Sequence, residues 1–229
     1  MKSKLFFATI LLSGALATPA LAEDGDNARF RIGVTGGTLG VGPEVAYRLN
    51  DRLGVRANAT FLSVSHSFDS DDIEYDGKVK LASGGAMIDV FPFKGGFRIS
   101  GGARINGNRA RATAQPSGGS YDINGTSYTA AEIGTLKAES DIKDFAPMLT
   151  IGYGGGTSSG FIFGIEAGAL FQGTVRIKPL TYTGTLLNSS DPRAVLLRAD
   201  IEAERASVQD DIDDYKVYPV LQLSIGYRF

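Results

Sequence analysis

Pro219-Val220-Leu221-Gln222-Leu223-Ser224-Ile225-Gly226-Tyr227-Arg228-Phe229 is the stretch whose reading decides the fold. Pro219, Leu221, Leu223, Ile225, Tyr227 and Phe229 occupy every second position. Val220, Gln222, Ser224, Gly226 and Arg228 lie between them, polar or small apart from the valine. In a strand the two sets point to opposite faces. An apolar face with Tyr near one end is what a lipid-facing strand with an interfacial aromatic girdle shows.

The same alternation recurs upstream. Phe161, Phe163, Ile165, Ala167, Ala169 and Phe171 alternate with Gly164, Glu166, Gly168 and Gln172. Phe145, Pro147, Leu149, Ile151 and Tyr153 alternate with Met148, Thr150, Gly152 and Gly154. Further sets run from Phe97 to Asn106, from Leu39 to Leu49 and from Val55 to Phe61. The strand near Lys78–Phe93 is less clean, because Leu81, Met87 and Phe91 share a parity with Asp89. Ala86, Ile88 and Val90 are assigned there to the lipid side.

Short connections are expected at Asn50-Asp51, Lys94-Gly95-Gly96 and about Gly155–Ser159. Long ones are expected at Asp69–Gly77, Ala114–Glu139 and Leu180–Asp214. Small outer-membrane barrels have short periplasmic turns and longer extracellular loops on the opposite rim. Counting back from Phe229 gives seven strands starting at Thr38. An even number calls for one more, Arg29–Thr35, with Phe30, Ile32 and Val34 outward and a turn at Gly36-Gly37. The expected fold is therefore all-β, an eight-stranded antiparallel transmembrane β-barrel. A soluble sandwich or lipocalin-like barrel is the alternative. Its apolar face would point inward, and no part of the chain is left over to supply a second apolar layer.

The start of the chain supports export. Lys2 and Lys4 precede an apolar run from Leu5 to Leu16, and Ala20-Leu21-Ala22 offers a small-x-small cleavage pattern. That run has the length of a signal-peptide core and is too short to span a bilayer as a helix. Residues 1–22 are read as a cleaved signal peptide and 23–229 as the barrel, addressed to the outer membrane of a Gram-negative bacterium. The leader removes two of 23 basic residues and none of the 25 acidic ones, leaving 21 against 25, a net charge of −4. No basic stripe invites nucleic acid. With no cysteine, disulfides and thiolate metal sites are excluded. No later stretch holds 18 apolar residues, so the bilayer would be crossed by strands.

The expected inward set contains Glu44, Asp89 and Glu166 against Arg48, Arg56, Arg98 and Arg104. A barrel this narrow is filled by its own side chains, and charges inside it must be paired. Glu44, Arg56, Asp89, Arg98, Arg104 and Glu166 are expected to form a network that plugs the interior, or one whose pairs exchange partners and pass small solutes. Both demand the same residues. In the last long connection, Asp191-Pro192 reads as an N-cap followed by proline at the first helical turn. Leu197, Ile201, Val208 and Ile212 follow at helical spacing, with Glu202, Arg205 and Gln209 on other faces. A helix over roughly Pro192–Asp213 is expected, packed on its own loop in preference to a lid over the mouth. Asp69-Ser70-Asp71-Asp72, Asp210-Asp211 and Asp213-Asp214 lack EF-hand spacing and read as solvated acidic segments.

Leu221 to Phe229 resembles the C-terminal signature of outer-membrane barrels, an alternating strand closing on Phe. The architecture as a whole is similar to small barrels of the OmpA membrane-domain, OmpX and OmpW type. The resemblance implies that Tyr227 and Phe229 are read by the barrel-assembly machinery, with outer-membrane lipid and lipopolysaccharide as surroundings. No cofactor is expected and, since the chain stops at Phe229, no cell-wall-binding domain after the barrel. Some such barrels are lipid A deacylases with a His-x-Ser pair. Here Phe68 stands where that Ser should be, two residues after His66, the only histidine. His66 is expected to face inward near the rim while Ser65 and Ser67 face away, so no enzyme is expected. The role expected from the resemblance is structural or surface-interacting, with any ligand taken by residues 69–77, 114–139 and 180–214. A narrow channel is the alternative.

Overall fold

The structure is a computed structural model that describes residues 28–70, 73–116, 118–154 and 158–229. The expected signal peptide, Asp71-Asp72 and part of the 155–159 connection lie outside the described residues. The fold is all-β with one substantial helix. One set of strands comprises β1 (Phe30–Gly37), β2 (Gly40–Arg48), β3 (Leu53–Ser70), β4 (Ile73–Val90) and β5 (Phe97–Asn106). Next come β6 (Arg109–Pro116), β7 (Ser120–Ile123), β8 (Thr126–Thr129), α1 (Ala130–Ile133) and β9 (Leu136–Asp141). The chain finishes with β10 (Phe145–Gly154), β11 (Gly160–Leu170), β12 (Arg176–Ile177), α2 (Pro192–Ile212) and β13 (Tyr218–Arg228).

All pairings are antiparallel. β1 pairs with β2, β2 with β3, β3 with β4 and β4 with β5. β5 then pairs with β10, β10 with β11, β11 with β13, and β13 with β1. The pairings thus run back to the strand from which they start. Along these strands burial alternates. In β10, Ala146, Met148, Thr150, Gly152 and Gly154 are buried while Phe145, Pro147, Leu149, Ile151 and Tyr153 are exposed. In β4, Met87 and Asp89 are buried and Ala86, Ile88 and Val90 exposed, the parity expected from the sequence.

Two expectations need correction. The first turn lies at Thr38-Leu39, between the paired Gly37 and Gly40, and not at Gly36-Gly37. Gly40 has φ +99°, a conformation that L side chains avoid, so the chain reverses two residues later than expected. Leu39 consequently leaves the exposed face and is only 3% exposed. The second correction concerns Asp69–Gly77. β3 and β4 stay in register through Ser70↔Ile73, so this segment is a strand hairpin and not a long loop. The ladder here continues past the apolar wall, with Glu74 exposed and Tyr75, Asp76 and Gly77 half-buried.

β4 divides its edge between two partners. Ser83–Val90 pairs with β5, and Ile73–Lys80 pairs with β6. A kink at Gly107-Asn108 separates β5 from β6, held where Gly107 N–H donates to Ala82 O (2.8 Å) and Asn108 Oδ1 accepts from Ala82 N–H (2.9 Å). Beyond it the sheet continues through β6, β9 and β12 as an outer extension. The hairpin β7–β8, α1 and α2 pack there around Ile123, Tyr128, Ile133, Tyr182, Leu197 and Ile201. This outer module has its own core, apart from the interior apolar cluster of Leu39, Met87, Ala146, Met148, Leu170 and Val220. α2 matches the expected helix. Asp191 caps it by accepting from Arg193 N–H (2.8 Å), and Leu197 and Ile201 are buried while Val208 is not.

Candidate functional site

Five of the six residues expected to share a charge network come together on the inward face. Strand parity aims them there, and their registers set them at neighbouring levels: Asp89 opposite Ser100, Glu166 opposite Gly152, and Gly152 opposite Arg98. Arg56 is the hub. Its Nη2 stands 2.6 Å from Glu166 Oε2, its Nη1 3.1 Å from Glu44 Oε2, and its Nε 3.3 Å from Asp89 Oδ2. Arg98 Nη2 donates to Glu166 Oε2 at 2.8 Å, and Ser100 Oγ donates to Asp89 Oδ1 at 2.6 Å. All five side chains are buried. At that depth a lone charge is costly, whereas a multiply bonded one is tolerated.

Arg104 departs from expectation. It is 1% exposed, yet among the described residues no carboxylate forms an ion pair with it. Thr60 Oγ1 (2.9 Å), Ser83 Oγ (3.0 Å) and Asn58 Oδ1 accept from it instead. It sits beside Ala146, one level further toward the long connections than Met148. The apolar cluster at Met87, Met148, Leu170 and Val220 therefore lies over the ion pairs on that side. Arg48 is also outside the network. It lies at the short-turn end, where its Nη2 donates to Asp51 O (2.8 Å) and Lys94 O (2.9 Å) and its guanidinium stacks 4.0 Å over the Phe91 ring.

Sequence reasoning missed Arg31 and Arg228. Arg31 pairs with Glu44, and Arg228 is buried at the same end. The signal was present, since Arg31 alternates with Phe30 and Ile32 just as Arg228 alternates with Tyr227 and Phe229. His66 is exposed along with Ser65 and Ser67, so its expected inward position is corrected. It stands on the part of β3 beyond the enclosed levels. Tyr227 and Phe229, for which the resemblance implies an assembly signal, have ring centroids 4.9 Å apart and tilted to each other by 59°. Phe161 meets Tyr227 edge-on at 5.4 Å, and Phe229 N–H donates to Phe30 O at 2.9 Å. The aromatic rim thus ties both chain-end strands to β11.

The outer module holds a second feature. A cleft of about 380 Å³ opens between α2 and the sheet extension, lined by Tyr75, Tyr121, Leu136, Leu180, Ile201 and Glu204 among others. Its surroundings are held by polar contacts. Tyr128 Oη donates to Asp200 Oδ2 at 2.6 Å, which lowers the Asp200 pKa, while burial pushes the Tyr128 phenol up to about 12. Glu132 accepts from Thr129 N–H at 2.7 Å and from Arg193 Nε at 2.7 Å, and these bonds hold its carboxyl down at about 2. Another hollow of about 420 Å³ lies on the exposed wall, where Ala57, Ala86 and Gly101 leave space among Val45, Val55 and Ile88. Its lining is almost wholly apolar.

No protein-family model and no curated protein matches this sequence. Solved structures do. The crystal structure of Acinetobacter baumannii CarO aligns with a TM-score of 0.55 at 20% identity, covering 89% of this chain and 98% of that one. Acinetobacter baumannii CarO2 aligns with a TM-score of 0.57 at 19% identity, covering 88% of this chain and 98% of that one. At such identity the likeness is one of architecture, and the chain has the all-β fold of the CarO structures.

Proposed function

We propose that this chain is an integral outer-membrane protein of a Gram-negative bacterium. In this reading it is a closed eight-stranded transmembrane β-barrel, without enzymatic activity, whose role is structural or surface-interacting. The observation that carries the reading is an inverted distribution of polarity. Arg56, Glu44, Asp89, Glu166 and Arg104 are buried inside, while Ile32, Val45, Phe61, Ile151, Phe163 and Leu223 stand 40–71% exposed on the strands' other face. A water-soluble protein does not present so continuous an apolar wall, whereas hydrocarbon favours it and requires the backbone pairing to close. The fold shared with CarO supports the same reading. Among the described residues no helix is long and apolar enough to cross a membrane, so the crossing falls to strands.

The surface role rests on the two filled levels of the interior and on the outer module. Ion pairs and the overlying Met148–Leu170 cluster leave the interior packed. The 380 Å³ cleft falls within the usual size of ligand sites, about 300–1,000 Å³. A narrow channel is the second reading, favoured by the unequal charge of the interior. Among the described residues, buried Arg31, Arg48, Arg56, Arg98, Arg104 and Arg228 face only Glu44, Asp89 and Glu166.

Single-channel recording of the refolded protein in a planar bilayer, beside Glu166→Gln, separates the two. A silent bilayer, with folding verified by a heat-dependent gel shift, is the expected result. Reproducible steps that change in the variant would replace the surface role with conduction.

A further inference from the structure

The sheet face beneath α2 is large at its edges and small in the middle. Across β4, β6 and β9, Tyr75 lies opposite Ala114 and Ala114 opposite Leu136. Gly77, Ala112 and Ala138 form the neighbouring row on the same face. Residues opposed in this way share a face, so two bulky side chains flank a methyl group and the next row holds nothing larger. α2 does not settle into that hollow, because polar contacts hold it at two points. Asp200 accepts from Tyr128 Oη (2.6 Å), while Gln209 Nε2 donates to Val175 O (2.9 Å) and its Oε1 accepts from Ile177 N–H (2.8 Å). Ile201, Glu204, Arg205 and Val208, between those two supports, line the space left below. That space is the cleft of about 380 Å³ and an adjoining hollow of about 180 Å³, which have Tyr75, Ala114, Leu136 and Leu180 in common.

Apolar side chains held apart lose the contacts that closing would give them, and an apolar body that fills the gap restores those contacts. Ile133, Leu136, Leu180 and Ile201 supply apolar walls to the cleft. Tyr75 and Tyr121 add aromatic rings. Tyr121 Oη donates to Gly118 O (3.2 Å), which fixes its ring in place. Among the described residues lining the cleft, the charged ones are Asp122 and Glu204, both acidic and both exposed. Arg205 lines only the adjoining hollow, and its Nε donates to Glu202 Oε2 (2.9 Å).

Carboxylates and rings select the same charge. Carboxylate oxygens accept charge-assisted hydrogen bonds from an ammonium group, and aromatic rings attract organic cations. An anion would meet two carboxylates, with no cation among the described lining residues to offset them. A small inorganic cation would leave the apolar walls unfilled. We propose that the cleft beneath α2 binds an organic ammonium ion carrying an aromatic or alicyclic body. The body lies over Ala114 between Tyr75 and Leu136, and the ammonium group reaches Glu204 and Asp122 at the exposed edge. This deepens the surface role proposed above, and rests on it for its purpose, by naming the class of ligand.

The test is fluorescence anisotropy of naphthylmethylamine titrated with the full chain refolded in uncharged detergent. Naphthylmethanol and naphthoate, neutral and anionic on the same ring system, are titrated beside it. Ala114→Leu fills the gap between Tyr75 and Leu136 and gives the reference for uptake by the detergent. Its folding is verified by the heat-dependent gel shift and by the circular dichroism of α2. The native chain should bind the amine saturably, and Ala114→Leu should not. The alcohol should bind about tenfold more weakly than the amine, within what two exposed ion pairs supply, and naphthoate should not bind. Asp122→Asn/Glu204→Gln should bring the amine down to the affinity of the alcohol and abolish its salt dependence, which keeps the test decisive if Ala114→Leu does not fold. Asp210→Asn/Asp211→Asn changes the net charge equally outside the cleft lining and should leave binding unaltered. Identical titrations of the native chain and folded Ala114→Leu would overturn the site. Equal binding of the three probes, or an amine affinity indifferent to Asp122→Asn/Glu204→Gln, would overturn the charge assigned to the ligand. The bilayer recording decides the surface role separately. Conduction together with saturable amine binding would remove that role and keep the site, whereas a silent bilayer without amine binding would remove the site alone.

Discussion

Arg56→Gln is the substitution most costly to the interior. Arg56 touches three carboxylates, and each is left with a different remainder once it goes. Glu44 keeps Arg31, and Glu166 keeps Arg98. Among the described residues Asp89 keeps only the Ser100 hydroxyl at 2.6 Å, at a side chain 5% exposed. Breaking a buried pair so that one charge stays uncompensated costs about 3–5 kcal/mol, whereas an exposed pair is worth about 0–1 kcal/mol. The interior's overall positive excess falls in this variant, but Coulomb attraction weakens with distance, so the contact at Asp89 outweighs the distant sum. Asp89→Asn in the same background removes the orphaned charge and should recover a large part of the loss. The assay is urea unfolding in lipid vesicles, followed by tyrosine fluorescence and the heat-dependent gel shift, since the chain has no tryptophan. A loss below about 1 kcal/mol in Arg56→Gln, or no recovery on adding Asp89→Asn, would refute the view that these pairs are buried and interdependent.

Gly40→Ala should destabilise by about 1–2 kcal/mol in the same assay, because φ +99° is strained for any residue with a Cβ. A Cβ there would also lie 2.8 Å from the backbone carbon of Phe61. Phe229→Ala should lower the amount of protein reaching the outer membrane in cells while leaving refolding in detergent largely intact; equal outer-membrane levels would dismiss the assembly signal. Asp191→Ala should cost the outer module about 1 kcal/mol through loss of its cap on α2, read as faster amide exchange over the first turn. Glu132 titrates at about 2 against an ordinary 4.5. Its folded-state pKa is depressed, so its support of α1 and of Arg193 is complete above about 4.5 and fades as pH falls toward about 2. Side-chain carboxyl NMR of Glu132 across that window checks the value, and a midpoint near 4.5 would contradict the geometry.

Much of the fold was legible because a strand exposes its two faces at alternate residues, and one face here is apolar. That period placed the strand bodies of β5, β10, β11 and β13, the inward Glu44, Asp89 and Glu166, and the ambiguous β4. The Asp191-Pro192 cap and helical spacing placed α2 almost to the residue. The same rule faltered where a strand leaves the apolar wall. β3, β4 and β6 continue past it with no strict apolar alternation, so 69–77 read as a loop. Leu39 misled because its apolar side chain fitted the strand rhythm, although a positive φ at Gly40 had already turned the chain.

By itself the sequence determined what each strand must show to either side, since parity is a local property of the backbone. Only the tertiary structure decided which charges meet. Arg56 and Glu166 are 110 residues apart by their numbers and come within 2.6 Å, whereas Arg104, equally inward, settles among hydroxyls. Partner choice depends on the register of neighbouring strands and the level each residue reaches. Those are set by how the pairings return to β1, a property no single stretch of sequence carries.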